Sequence, residues 1–266
     1  DVYKRQYQGP ALPLVTVLTL AATGSEMNRG AVITNLTAKQ KLGVHGPNFL
    51  PKVSFLDPTW TFSVNRYQTA AGSADIMSHL IENYFSTTEN TDVQDGIAEG
   101  LLKAVITNLP IALDTPDDYD ARANLMWAST LALNGLTGSG KAGAWSCHPM
   151  EHELSAFYDI THGIGLAILT PRWMLHVLNE TTAPKLARFA REVFQVEEAV
   201  PEMAARMGIQ KLYDFFLACG IPMTLPEVGI EDDRHFEEMA KQAVAFSSIA
   251  TNAYVPVSYT HLTLPT

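Results

Sequence analysis

The sequence predicts a short α/β segment followed by an all-helical domain. Two observations carry this. Up to about residue 65 the apolar residues fall in short β-branched runs divided by turns, whereas from Arg66 onward they recur with helical spacing. Helix-capping residues and helix stops then separate one periodic run from the next.

Taken in order, the strand-like runs are 12–19, 31–34 and 53–56, each followed by polar or proline-bearing residues. The loop between the first two, Thr19-Leu-Ala-Ala-Thr23-Gly24-Ser25-Glu26-Met-Asn28, is small and hydroxyl-rich. Such a loop either brings backbone N–H groups to phosphate or ribose oxygens or is a plain turn. Helices are expected over 67–86, 92–113, 118–136, 144–158, 162–178, 183–194, 200–219 and 231–246. Thr91 and Asp118 precede two of them as caps, Pro201 suits a first turn, and Gly220 stops the helix ending at Cys219. Met77, Met126, Trp127 and Met150 read as core packing. The shift near 65 is the one candidate domain boundary.

Hydrophobic residues at 47 % and charged residues at 17 % describe a globular chain with a sizeable core. A net charge of −10 argues against nucleic acid or an acidic membrane as partner. Cys147 and Cys219 form no Cys-x-x-Cys pair and no disulfide framework, which fits a reducing cytoplasm. No uninterrupted apolar run is long enough to span a bilayer. The ends read differently from the rest. Asp1-Val2-Tyr3-Lys4-Arg5-Gln6 back-translates to GATGTGTATAAGAGACAG, whose reverse complement, read from its third base, encodes Val257-Ser-Tyr-Thr-His261 and opens a Leu codon. Residues 1–6 and 257–266 are therefore expected to be translated adapter, leaving 7–65 as a strand-and-loop segment and 66–256 as a helical one.

Two stretches carry the chemistry. His148-Pro-Met-Glu-His152 places two imidazoles on one helix face, and His162 opens the next helix after a break in which Asp159 or Thr161 can cap it. Asp75 and His79 form another i, i+4 pair inside an apolar run containing Ile76, Leu80 and Ile81, where an ionised carboxylate is costly unless paired or bound to a cation. Either these are separate polar residues on helix faces, or one carboxylate and up to three imidazoles make a nitrogen- and oxygen-donor site for Zn²⁺ or Fe²⁺.

With those pieces placed, the chain resembles the iron-containing alcohol dehydrogenase family. Thr23-Gly24-Ser25-Glu26, Leu56-Asp57-Pro58, Gly72-x-x-Asp75-x-x-x-His79-x-x-Glu82 and His148-x-x-x-His152-x-Leu-x-x-x-Tyr158-x-x-x-His162-Gly163 match its signatures in order. The segment 117–129, centred on Trp127, is similar to the butanol dehydrogenase and NADPH-dependent aldehyde reductase branch. The resemblance implies a dehydroquinate-synthase-like fold: a Rossmann-like nucleotide-binding domain, of which 7–65 is the C-terminal remnant, then an all-helical metal-binding catalytic domain over 66–256, with the active site between them. It implies Asp75, His79, His148 and His162 as ligands of Fe²⁺ or Zn²⁺, and His152 as a non-ligand histidine beside the nicotinamide. Thr19, Thr23, Gly24, Ser25, Asn28 and Lys41 match positions lining NADH or NADPH; for Lys41 the other reading is a solvated loop lysine.

The expected reaction is hydride transfer between a nicotinamide and a primary alcohol or aldehyde of the butanol/butyraldehyde kind, in a cytoplasmic enzyme that is a homodimer at full length. The glycine-rich pyrophosphate loop of the family has no counterpart in the sequence, so the chain is expected to bind metal and to hold the cofactor poorly, if at all. Two other readings stay open: a non-catalytic helical metal-binding module, and a lyase of the dehydroquinate-synthase-like fold.

Overall fold

A computed structural model of the chain describes residues 9–142, 145–251 and 254–255. The adapter-like stretches 1–6 and 257–266, with His261, lie outside the described residues. Four strands come first: β1 (Val15–Val17), β2 (Gly30–Asn35), β3 (Gln40–His45) and β4 (Val53–Phe55). β1 pairs in parallel with β4, Val15 opposite Val53, while β2 and β3 form an antiparallel hairpin with Gly30 opposite His45. The hairpin strand β3 is absent from the sequence expectation, because Gln40-Lys-Leu-Gly-Val-His has polar ends and a central glycine and no clean alternation. Val15, Val17, Val53 and Phe55 of the parallel pair are all exposed.

Eight α-helices follow among the described residues: α1 (Arg66–Tyr84), α2 (Asp92–Asp114), α3 (Tyr119–Leu133), α4 (Cys147–Tyr158), α5 (His162–His176), α6 (Ala183–Phe194), α7 (Pro201–Ala218) and α8 (Phe236–Ala245). Their bounds follow the expected ranges, with α3, α4 and α8 each shorter at one end by three residues or more. α3 stops at Asn134 because Gly135 turns into the left-handed region, φ 96°. Asn65 caps α1 through the Gln68 N–H, and Asp118 caps α3 through the Ala121 N–H. Two expected caps act otherwise. Thr91 spends its hydroxyl on Asp95 rather than on a backbone amide. Asp159 ends α4 in a left-handed conformation, φ 53°, and Thr161 opens α5 with no side-chain cap bond.

α1 is the centre of the helical domain. It packs against α2, α3 and α5, and Ile76, Met77, Leu80, Ile81 and Tyr84 are fully buried. That burial of apolar area is the main favourable term holding the layer together. α2 is long and apolar enough, by length and composition, to cross a membrane. Here its inner face, Ala98, Leu102, Val105 and Leu109, lies wholly in this core. Its buried Asp95 accepts from Lys141 at 2.8 Å and from Lys185, so α2, α6 and the loop after α3 are joined by compensated charge. Met77 and Met126 are core residues and Met150 packs at its margin, but Trp127 is 51 % exposed. Ala121, Leu125, Ala128 and Ala132 take the inner face of α3, which turns position 127 outward.

α8 lies on α4 over a small cavity of ~30 Å³ lined by Met150, Leu154, Leu169, Phe236, Met239 and the Glu153 carboxyl. Burial, aided by Glu238, pushes Glu153 up to about 8. Protonation is thus favoured in the folded state, and the stability this group contributes is present below its ordinary value of 4.5 and lost as pH rises through 8. Glu153→Gln is expected to raise thermal stability at pH 8.5 by at least about 1 kcal/mol and to change little at pH 4.5, read by unfolding at both values.

Candidate metal centre

Three helices bring the chemistry to one point. α1 supplies Asp75 and His79 one turn apart, α4 supplies His148 from its first turn, and α5 supplies His162 as its first residue. The Asp75 Oδ1 atom lies 3.5 Å from His79 Nε2, 3.6 Å from His148 Nε2 and 3.7 Å from His162 Nε2. All three imidazoles therefore turn the same ring nitrogen toward one carboxylate oxygen. Oδ1 and His148 Nε2 are buried with no hydrogen-bond partner. Around a tetrahedral cation with bonds of about 2.1 Å, neighbouring donor atoms stand about 3.4 Å apart. The spacings from Asp75 fit that geometry, and the donor set of one carboxylate and three imidazoles suits a borderline divalent ion; Asp75, His79 and His148 lie within 4.8 Å of one another, and His162 joins them through Asp75.

The far nitrogens are held by carboxylates that the sequence reading did not assign. Glu82, on α1, bonds His148 Nδ1 and also accepts from the backbone N–H of Ser146, Cys147 at 2.6 Å and His148 at 3.2 Å. One buried carboxylate thereby caps α4 and fixes the rotation of its histidine. Glu151, fully buried on α4, bonds His162 Nδ1, Ser155 Oγ and, at 3.4 Å, Lys41 Nζ. With Nδ1 committed in both rings, Nε2 is the nitrogen left to face Asp75. The spacing held a signal for both acids: Glu82 follows His79 by three positions and Glu151 follows His148 by three, each on its histidine's helix face.

Electrostatics agree. Burial alone would raise the Asp75 carboxyl, but His79, His148 and His162 outweigh it and hold Asp75 well below the usual carboxylate range. Burial pushes His79 down to about 3, against the pull of Asp75 and with the repulsion of His148 and His162. His148 is pushed up to about 9: burial opposes protonation, and Glu82 and Asp75 overcome it. With the three imidazoles neutral, as metal ligands must be, three carboxylates, at 75, 82 and 151, against the Lys41 ammonium leave two formal negative charges, which a divalent cation balances. Glu151, His152 and His162 also group closely enough to hold an ion. The Lys41 ammonium, however, is 3.2 Å from His162 Nδ1 and 3.4 Å from Glu151 Oε2, so positive charge already stands there.

The remaining expected residues border this centre. The His152 ring is half-buried, its centroid 5.6 Å from that of His162 and 6.4 Å from that of His148. Trp145, unassigned from sequence, packs its ring 4.7 Å from His148 and 5.7 Å from His79. The loop bearing Thr19, Thr23, Gly24, Ser25 and Asn28 leans on α1 one turn before Asp75. There a Cβ on Gly72 would lie 2.5 Å from Ala21 O. Thr19, Thr23 and Ser25 are exposed, while Asn28 locks the loop by donating to Thr23 O and Gly24 O and accepting from Gly30 N. Lys41 stands on strand β3 with a 14 % exposed side chain, so it is not a solvated loop lysine. Gly163 has the tightest approach: a Cβ there would fall 1.9 Å from Ala71 O on α1. Gly163→Ala is expected to lift the start of α5 off α1, carry His162 away from Asp75 and lower unfolding free energy by about 1–3 kcal/mol, measured by denaturant titration.

Comparison with known proteins gives a consistent result. Residues 69–262 match the Fe-containing alcohol dehydrogenase family, C-terminal, and residues 2–58 match Iron-containing alcohol dehydrogenase. The chain is 52 % identical over 248 residues to NADH-dependent butanol dehydrogenase A of Clostridium acetobutylicum, covering 93 % of this chain and 64 % of the relative. It is 37 % identical over 221 residues to the NADPH-dependent aldehyde reductase YqhD of Escherichia coli, covering 83 % and 57 %. The crystal structure of NADH-dependent butanol dehydrogenase A from Thermotoga maritima superposes with a TM-score of 0.87 at 36 % identity, over 95 % of this chain and 64 % of that one. The chain spans just under two thirds of the length of these relatives.

Proposed function

The chain belongs to the iron-containing alcohol dehydrogenase family, and from that premise we propose that it carries the metal centre of a cytoplasmic, NAD(P)-dependent alcohol dehydrogenase. The enzyme acts chiefly as an aldehyde reductase on primary alcohol and aldehyde pairs of the butanol/butyraldehyde kind. The observation that carries this reading is the convergence of three Nε2 atoms on one unbonded carboxylate oxygen of Asp75. Asp75, His79, His148 and His162 are the residues that would hold Fe²⁺ or Zn²⁺.

A divalent ion there supplies a Lewis acid for an aldehyde oxygen, and NADH or NADPH supplies the hydride. The chain's own residues do the rest. Neutral imidazoles keep the ion's positive charge high, and Glu82 and Glu151 keep two of those imidazoles turned toward it. His152, beside His162 but outside the ligand set, is the group placed to position the substrate or deliver the proton that completes the alcohol. The exposed hydroxyls of Thr19, Thr23 and Ser25, with Gly24, Asn28 and Lys41, would line the cofactor along the rim of α1. Trp145 shields one side of the imidazole pair from water.

Two measurements test this. The chain should bind about one divalent ion, and changing both His148 and His162 to Ala should abolish it; unchanged metal content in that variant rejects the site. The full-length enzyme should consume reduced nicotinamide when given butyraldehyde. His152→Ala should then lower kcat by about 10²–10⁴-fold with metal content intact. Absence of turnover with both nicotinamides across several aldehydes and metals would reject the redox assignment.

A further inference from the structure

One side chain links the strand segment to the metal centre. Lys41, second residue of β3, extends over α4, against which β3 packs. Its Nζ is 3.0 Å from Ser155 Oγ, 3.4 Å from Glu151 Oε2 and 3.2 Å from His162 Nδ1. An ammonium and an imidazole N–H are both donors, so they cannot satisfy one another. Both are served by the Glu151 carboxylate, which accepts from His162 Nδ1 on the same oxygen that faces Lys41. The Glu151 side chain is wholly buried, and among the described residues Lys41 is the lysine or arginine that pairs with it. Without that cation the buried carboxylate is uncompensated, and turning away relieves it. That slackens its hold on Nδ1 and frees the His162 ring to rotate its Nε2 off Asp75.

We propose that Lys41 is a positioning residue of the metal centre, acting through Glu151 on His162, so that docking of the β2–β3 hairpin and binding of the metal reinforce each other. This rests on the reading of His162 as a ligand. It adds to the expected cofactor contact of Lys41 a role at the metal centre. By linkage, metal should tighten the hairpin to the same extent that the docked hairpin tightens the metal.

The test uses the 266-residue chain with Zn²⁺ or Co²⁺ alone, titrated in competition with a chelator. Wild type is compared with Lys41→Met, Lys41→Arg, Glu151→Gln and the Lys41→Met/Glu151→Gln pair. Lys41→Met and Glu151→Gln should each weaken metal binding about 10–100-fold, and Lys41→Arg should recover most of the loss. The double variant should bind within about twofold of Glu151→Gln, because Lys41 acts through that carboxylate. Hydrogen exchange at residues 40–45 should slow on metal addition in wild type and not in Lys41→Met. Should Lys41→Met not fold, Lys41→Gln carries the same expectations. Wild-type affinity in the uncharged Lys41 variant, or full additivity in the pair, overturns the proposal. A wild-type chain that binds no ion overturns instead the metal reading beneath it.

Discussion

A carboxylate oxygen sealed in an apolar helix, with no hydrogen bond of its own, sets the terms for the rest of this fold. Asp75 sits among Ile76, Leu80 and Ile81 on the most buried helix of the domain. An ionised oxygen in such surroundings costs several kcal/mol unless positive charge meets it. The fold meets it from three directions. α1 brings His79 by helical spacing, and α4 and α5 arrive end-on, each offering a histidine from its first turn. Helix starts suit the task because their first N–H groups are unbonded within the helix and can donate to an anchoring carboxylate, as they do to Glu82 at α4.

Around the inner four lies an outer layer with its own logic. Glu82 and Glu151 hold His148 and His162 in the same way, yet their surroundings differ. Glu82 is satisfied by backbone amides, so its hold on His148 is part of the helical scaffold. Glu151 is satisfied by side chains, one of them sent from β3. His79 has no such support: its Nδ1 is buried without a partner, and stacking on His148 at 4.6 Å orients it instead. The imidazoles are therefore fixed by three different means.

Much of the fold was legible in the sequence. Helices reveal themselves through apolar periodicity and caps, and the i, i+4 pair of Asp75 and His79 in an apolar run pointed to a carboxylate buried beside a histidine. The four inner residues, two glycine contacts and the loop before α1 all lie within motifs visible in one dimension. What was not legible depends on pairing across distance. Glu82 meets His148 across 66 positions and Lys41 meets Glu151 across 110: helical spacing set both acids beside a histidine, but not beside the one each holds. β3 was hidden because its regularity comes from β2 rather than from its own alternation. Trp127, read as core, faces outward because the small residues Ala121, Ala128 and Ala132 with Leu125 claim the packed face of α3.

The parallel pair β1 and β4 has a consequence of a different kind. Parallel strands are ordinarily covered on both faces, and here Val15, Val17, Val53 and Phe55 all meet solvent. Such a surface is adhesive. Exposed apolar area of this kind favours contact with other apolar surface, so the apparent melting temperature of this chain is expected to depend on protein concentration. Dilute samples, or a mild amphiphile to cover those four side chains, are the conditions under which the chemistry of the helical half can be observed on its own.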